Sequence, residues 1–92
     1  MTPEQEERRG NEARAMLNNA IYKEAYTAIR ERLVGQLSLA DLPEDTRAKC
    51  NTLLVALATV HRYFEQTMLT GQMAEIETQR KKTLRERIRA VV

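Results

Sequence analysis

Two amphipathic segments on either side of Pro43 constrain the fold of this chain more than any other feature. In the first segment apolar residues recur every four residues from Leu17 to Leu37, and in the second they follow alternating steps of three and four from Cys50 to Met68. Both spacings place apolar side chains on one face of an α-helix. Because the connection around Pro43 is short, we predict that the two helices fold back on each other and pack antiparallel.

The predicted fold is therefore all-α, an antiparallel helical hairpin of two long helices with a basic C-terminal helical extension. We predict one helical domain over residues 1–92, made of a weakly held N-terminal turn (1–12), a first helix (13–38), a second helix (44–70) and the basic extension (72–92). Gly10 weakens the N-terminal turn, and Asn18-Asn19 indicates a kink or a restart of the first helix near residue 18. Whether Gly71 ends the second helix, loosens it or leaves it straight stays open. If the helix continues straight, we expect the basic tail to project past the hairpin. The predicted hairpin core consists of Leu17, Ile21, Ile29, Leu33, Leu53, Leu57, Val60 and Phe64.

Charge is distributed unevenly along the chain. Residues 78–92 hold six basic side chains and one acidic one, a net charge of +5, whereas residues 1–77 hold nine basic and twelve acidic side chains, a net charge of −3. A basic end on an acidic body indicates an external contact at that end. The predicted partner-binding residues of this charged tail are Arg80, Lys81, Lys82, Arg85, Arg87 and Arg89.

The small size of the chain predicts that it needs a partner. For a small scaffold, about 25 cal/mol per Å² of buried apolar surface nearly cancels against about 1.5 kcal/mol per ordered residue. The single cysteine, Cys50, cannot form an internal disulfide that would supply the difference. We therefore expect docking on a protein partner or self-association, with a homo-oligomer as the simplest form.

Residue types that could support catalysis occur singly. His61 is the only histidine and lies one turn from Leu57 and from Phe64, which favours a packing role, since a metal site needs further ligands at matching spacing. Cys50 precedes His61 by eleven residues, or about 16 Å along a helix, which is too far for a catalytic pair. We predict that the protein is not an enzyme and has no metal, no cofactor and no small-molecule substrate.

The basic tail has several open interpretations. It can be a solvated or self-assembling helix, or it can neutralise phosphates in a salt-dependent, sequence-independent contact with nucleic acid. No aromatic residue follows Phe64 to stack on single-stranded bases or to anchor a membrane-surface helix, so we expect no membrane contact. As a protein-docking helix, the tail would be steered to an acidic partner by its charges. Its apolar face would consist of Met73, Ile76, Leu84, Ile88 and Val91.

Three short stretches carry a resemblance to a known group of proteins. They are Ala13-x-x-x-Leu17-x-Asn19-x-Ile21 with Glu24-Ala25, then Leu53-Leu54 to Val60, and then Thr70-Gly71-Gln72-Met73-Ala74. Over residues 13–76 the chain resembles small helical proteins of tailed bacteriophages, in which a leucine-rich helix is likewise followed by a threonine-glycine step and a charged tail. The resemblance implies a setting among virion-assembly genes and supplies no catalytic residues.

These features together predict a structural or interaction protein, a minor bacteriophage virion or assembly component that acts by helix-mediated protein–protein contacts. The alternative is a small DNA-binding or host-modulating phage regulator that uses the basic C-terminal helix. No apolar run approaches the roughly eighteen residues needed to cross a bilayer, and residues 1–10 lack the apolar stretch of a signal peptide. The expected location is the cytoplasm of the host cell, with association with the virion as a further expectation.

Overall fold

The computed structural model describes residues 1–91, and these residues form three α-helices. Helix α1 spans Pro3–Leu17, α2 spans Ala20–Leu37 and α3 spans Glu44–Val91. The prediction of an all-α protein is confirmed, and no strand is present among the described residues. Residue 92, the last residue of the predicted basic extension, lies outside the described residues, as does the side chain of Val91.

Helix α1 begins with a complete capping box. The Thr2 hydroxyl accepts a hydrogen bond from the backbone N–H of Gln5 (3.2 Å), and the Gln5 side chain accepts one from the backbone N–H of Thr2 (2.9 Å). Pro3 occupies the first turn, where its missing N–H costs nothing, and Glu4 places negative charge near the helix N-terminus. Residues 3–12, predicted to be weakly held, therefore belong to a well-capped helix.

The predicted first helix of residues 13–38 is divided at Asn18 and Asn19. The backbone N–H of Asn18 closes the last turn of α1 by donating to the carbonyl of Arg14 (3.0 Å). The side-chain oxygen of Asn19 then accepts from the backbone N–H of Tyr22 (2.9 Å) and caps the start of α2. Asparagine favours such caps over helix interiors because its short side chain competes for nearby backbone groups.

Arg47 joins the two ends of the connection between α2 and α3. Its guanidinium donates to the carbonyls of Leu37 (3.1 Å) and Leu39 (3.3 Å), which lie at and just beyond the C-terminus of α2. These carbonyls have no partner within the helix, so a cation there stabilises the helix end. The connection is thus held by the first turns of α3.

Helix α3 continues without a break through Gly71. Its 48 residues correspond to about 72 Å at 1.5 Å per residue, which agrees with the largest dimension of the chain, 76 Å. The sequence left open whether Gly71 ends the helix, loosens it or leaves it straight, and in the structure Gly71 is buried against Gly10 of α1 and keeps a helical backbone. Packing at the glycine therefore outweighs its low helix propensity.

The buried core is thin and consists mostly of small residues. Three contacts order α1 and α2 along α3: Gln36 meets Cys50, Tyr22 meets His61, and Gly10 meets Gly71. The contact seam of α3 is half-buried and follows steps of three and four residues through Leu54, Leu57, His61, Phe64 and Met68. The buried residues are Gly10, Ala13, Leu33, Cys50, Gly71 and Ala74.

The core differs from the predicted set at four positions. Leu33 is buried, Leu17 at the end of α1 is half-buried, and Leu57 and Phe64 are half-buried in the seam of α3. In contrast, four side chains that were predicted to be internal are exposed. Their exposed fractions are 70% for Ile21, 46% for Ile29, 55% for Leu53 and 53% for Val60. A single neighbouring helix covers only a narrow stripe of a helix surface, whereas the apolar faces of the two predicted helices are wider than such a stripe.

Candidate functional site

An aromatic cluster fastens α2 to the middle of α3. The Tyr22 hydroxyl shares a 2.7 Å hydrogen bond with Nδ1 of His61, and the two rings stack with centroids 5.9 Å apart. The ring of Tyr26 lies tilted against that of His61 with centroids 4.5 Å apart, and Phe64 meets Tyr22 edge-on with centroids 5.6 Å apart. The histidine is therefore held by aromatic packing and by one hydrogen bond, which is a structural arrangement.

The cluster also changes the acidity of one tyrosine. Removal from water raises the pKa of Tyr22 above its ordinary value of 10.0, and the neighbouring Tyr26 and Glu65 raise it further by repelling a phenolate. Glu65 lies one turn after His61, with its carboxylate 3.7 Å from Nε2 of that ring. The neutral Tyr22 hydroxyl is therefore the form that this cluster stabilises.

Cys50 lies near the connection, away from the aromatic cluster. Its side chain is buried, and the thiol donates to the side-chain oxygen of Gln36 at 3.1 Å. Within residues 1–91, no three His, Cys, Asp or Glu side chains are grouped so that they could hold a metal ion. The polar contacts of Cys50 and of His61 are thus accounted for by helix packing.

Part of the predicted charged tail lies beside α1. Arg80 and Lys81 share a groove with Glu6, and Lys82 and Arg85 share the next groove with Glu4. The acidic first turn of α1 therefore faces basic residues of α3, and the two segments are complementary in charge. For a helix that continues through Gly71, the sequence predicted that the tail would project past the hairpin. In the structure α1 accompanies α3 as far as residue 85, and only the last turns of α3 extend beyond it.

All six predicted contact residues are nevertheless accessible. The side chains of residues 79–90 are exposed along the whole segment, and Lys81 pairs with Glu77 at 3.4 Å on the helix surface. Basic residues near the C-terminus of α3 also interact favourably with the negative end of the helix dipole. The structure thus brings these residues together on one helix without burying any of their charges.

An apolar stripe lies among these charges, and we call it the tail surface. Its members fall within an arc of about 120° on α3, since each residue advances by about 100° around a helix. Arg80 and Arg87 lie within the same arc. The apolar members, each between 53% and 71% exposed, are Leu69, Met73, Ile76, Leu84 and Ile88.

Two short motifs that form the tightest helix contact were overlooked in the sequence. Gly10 and Ala13 on α1 have the same glycine-x-x-alanine spacing as Gly71 and Ala74 on α3, and all four residues are buried. Small residues three apart lie on one face of a helix and let two backbones approach closely. The occurrence of the same glycine-x-x-alanine motif in both segments could have indicated this contact, whereas low helix propensity alone predicts that the two glycines weaken their helices.

Comparison of the chain with protein-family models, with curated proteins and with solved structures finds no match. None of the helices within residues 1–91 combines the length and the apolar character needed to span a bilayer.

Proposed function

We propose that this protein is a structural or interaction protein, not an enzyme, which docks on an acidic protein through the tail surface. In this proposal α1 and α2 pack antiparallel along α3, and their packing stabilises α3 as one continuous helix. The order of the contacts supports the antiparallel arrangement, because residue numbers fall along α3 as they rise from Gly10 to Gln36. A role as a minor virion or assembly component of a tailed phage is supported by the sequence resemblance.

The exposure of the tail surface is the observation that carries the proposal. Five large apolar side chains are at least half exposed on one side of α3, and two of them, Met73 and Ile76, border the groove that α3 forms with Glu6 of α1. Complete burial of such a side chain stabilises a complex by about 1.5–3 kcal/mol, before the cost of association is subtracted. An apolar helical stripe of this kind fits a hydrophobic groove on a partner.

Charge selects the chemistry of that partner. Arg80 and Arg87 lie among the apolar residues, and Lys81 borders them, so a partner groove with acidic rims would satisfy both features. A nucleic-acid backbone would pair with the charges but would leave Met73 and Ile76 facing phosphates. This difference favours a protein over nucleic acid.

A DNA-binding or host-modulating regulator is the second candidate function. The six exposed basic side chains between residues 80 and 89 favour it, since each can neutralise a phosphate. Binding of this kind would be independent of sequence and would weaken steeply as salt rises from about 50 to 200 mM. A duplex of random sequence is therefore the appropriate probe for it.

Photo-crosslinking in the source cells tests the leading proposal. Benzoylphenylalanine at Ile76 should give one discrete adduct with an acidic protein, and Arg80→Glu in the same chain should weaken that adduct. The matched control places the same group at Val55, an exposed apolar residue of α3 outside the tail surface. Equal adducts from both positions, or adducts with nucleic acid alone, would contradict docking of a protein on the tail surface.

A further inference from the structure

In addition to the tail surface, the chain has a second exposed apolar surface, on one side of the pair of helices α2 and α3. The residues of α2 that face α3 include Tyr22, Tyr26 and Leu33, and those of α3 that face α2 include His61. When two helices run in opposite directions, the residues that directly precede such contact positions lie on the same side of the pair. In the middle of the pair this set is apolar and exposed, and the exposed charged residues Arg32 and Lys49 lie at its end near the connection. We call the apolar part the lateral face, and it consists of Ile21, Ala25, Ala28, Leu53, Ala56 and Val60.

The opposite side of the same pair has a different composition. It is formed by the residues that directly follow the contact positions. Charged or polar side chains are spread along both helices there, with Val34, Val55 and Ala58 as the apolar residues among them. The charged or polar residues include Lys23, Thr27, Arg30, Asn51, Arg62 and Glu65, all exposed. An exposed side of this kind is suited to water, whereas a row of Ile, Leu, Val and Ala is suited to a packed interface.

The total surface of the chain indicates how much area a partner would have to cover. A compact monomer of 10.6 kDa is expected to expose about 5,500 Å², whereas this chain exposes 7433 Å². The excess of about 2,000 Å² per chain is larger than the roughly 800 Å² that each partner buries in an interface of standard size. A partner as large as the chain itself can cover such an area.

We propose that the lateral face packs against the lateral face of a second copy of this chain, around a two-fold axis, to form a four-helix bundle. The contacts Tyr22–His61 and Gln36–Cys50 place Ala28 and Ala56 at nearly the same level along the pair. A two-fold axis at this level brings two small residues of each chain together at the centre. Leu53 of one copy then meets Val60 of the other, which closes the apolar contact on both sides of the axis.

The residues around Ala28 are complementary under the same symmetry. Glu24 and Arg32 lie four residues before and four residues after Ala28, so the axis places Glu24 of one copy beside Arg32 of the other. Ile21 lies seven residues before Ala28 and Gly35 lies seven residues after it. The space beside Gly35 is open, because a Cβ atom added there would meet no neighbouring part of the chain within 4 Å. Ile21 of one copy can therefore fill the space at Gly35 of the other.

Sedimentation equilibrium of the full chain across a range of concentrations tests this proposal. The wild-type chain should dimerise, and Val60→Glu should raise the dissociation constant by at least about tenfold, because it buries an unpaired carboxylate in the interface. The matched control is Val55→Glu, since Val55 is similarly exposed on the opposite side of the pair, and it should leave the dissociation constant unchanged. Circular dichroism would verify that both variants retain their helices.

A crosslinking experiment locates the axis. On a Cys50→Ser background, Ala28→Cys should form an intermolecular disulfide under mild oxidation, because a residue on the axis lies close to its own copy. Thr27→Cys on the polar side should not. A monomer at all concentrations, or equal effects of the two valine substitutions, would overturn the proposal. The proposed function is tested separately, because Ile76→Glu on the tail surface should leave the dimer intact and abolish docking on the acidic partner.

Discussion

A Cβ atom added to Gly10 would lie 2.7 Å from the Cα of Gly71, so α1 and α3 touch backbone to backbone at these two glycines. Carbon atoms that are not bonded stay farther apart than this, and backbone cannot move aside as a flexible side chain can. The crossing therefore depends on the absence of a side chain at both positions.

Gly10→Ala should destabilise the protein even though alanine favours helix formation. The gain in propensity is about 1 kcal/mol, whereas forcing the two helices apart costs about 1–3 kcal/mol and also weakens the packing of Ala13 and Ala74. Gly35→Ala is the matched control, because a Cβ there meets no atom within 4 Å, and it should stabilise the monomer by about 0.5–1 kcal/mol. Urea unfolding at a concentration that keeps the chain monomeric measures both values. A Gly10→Ala variant more stable than wild type would contradict the close crossing.

Leu33→Ala and Leu53→Ala should separate the observed core from the predicted one. Leu33 is buried and should lose about 2–3 kcal/mol on truncation, near the lower end for buried leucines because the core is thin. Leu53 is more than half exposed in the single chain and should lose less than about 1 kcal/mol. Urea unfolding of dilute protein provides the comparison, and equal losses would mean that Leu53 is internal, as the sequence predicted.

Removal of the Tyr22 hydroxyl should change how stability depends on pH. Because the pKa of Tyr22 is raised in the folded chain, its contribution is fully present below pH 10.0 and is lost as the pH rises through the folded pKa. Tyr22→Phe should cost about 0.5–1.5 kcal/mol at neutral pH through the lost hydrogen bond to His61, and it should reduce the loss of stability in alkali. Tyr63→Phe removes an exposed hydroxyl that accepts from Arg9, and it should retain the alkaline loss of the wild type. Unfolding free energies measured on either side of pH 10.0 test this, and an unchanged alkaline loss in Tyr22→Phe would argue against the role of that hydroxyl.

Asn19→Ala should weaken the junction between α1 and α2. It removes the side-chain oxygen that caps the start of α2, at a cost of about 0.5–2 kcal/mol. Asn11→Ala, at an exposed position inside α1, should be neutral or slightly stabilising because alanine has the higher helix propensity. Thermal unfolding of the two variants would show the difference, and similar melting temperatures would indicate that the cap contributes little.

The sequence was sufficient to predict an all-α chain, because helical periodicity is a local property, but the predicted first helix of residues 13–38 is divided between α1 and α2. The start of α3 after Pro43 and the seam positions Leu57 and Phe64 follow directly from steps of three and four residues. The uninterrupted helix through Gly71 could not be predicted from propensity alone, because the stabilising contact comes from Gly10, which is sixty-one residues away in the chain. Tertiary packing decided that position.

The predicted core failed where an apolar pattern was wider than one contact stripe. Ile21, Leu53 and Val60 lie next to true seam positions, so the four-residue repeat and the alternating steps of three and four predicted them to be internal. Their exposure in the single chain is the feature that led us to infer a second copy. The six basic residues of the tail were identified from charge alone, but the proximity of the acidic first turn of α1 depended on the three-dimensional fold.

The central claim is that α1 and α2 run back along nearly the whole of α3. The most direct test is a pulsed electron paramagnetic resonance distance between spin labels at Glu4 and Arg85, with Cys50→Ser to prevent labelling of the native thiol and with the labelled chain diluted in unlabelled protein. Because both residues line one groove between the start of α1 and the C-terminal part of α3, we expect a single short distance between the labels with a narrow distribution. A long mean distance or a broad distribution would show that α1 is not held against the end of α3, and it would contradict the fold on which both proposals depend.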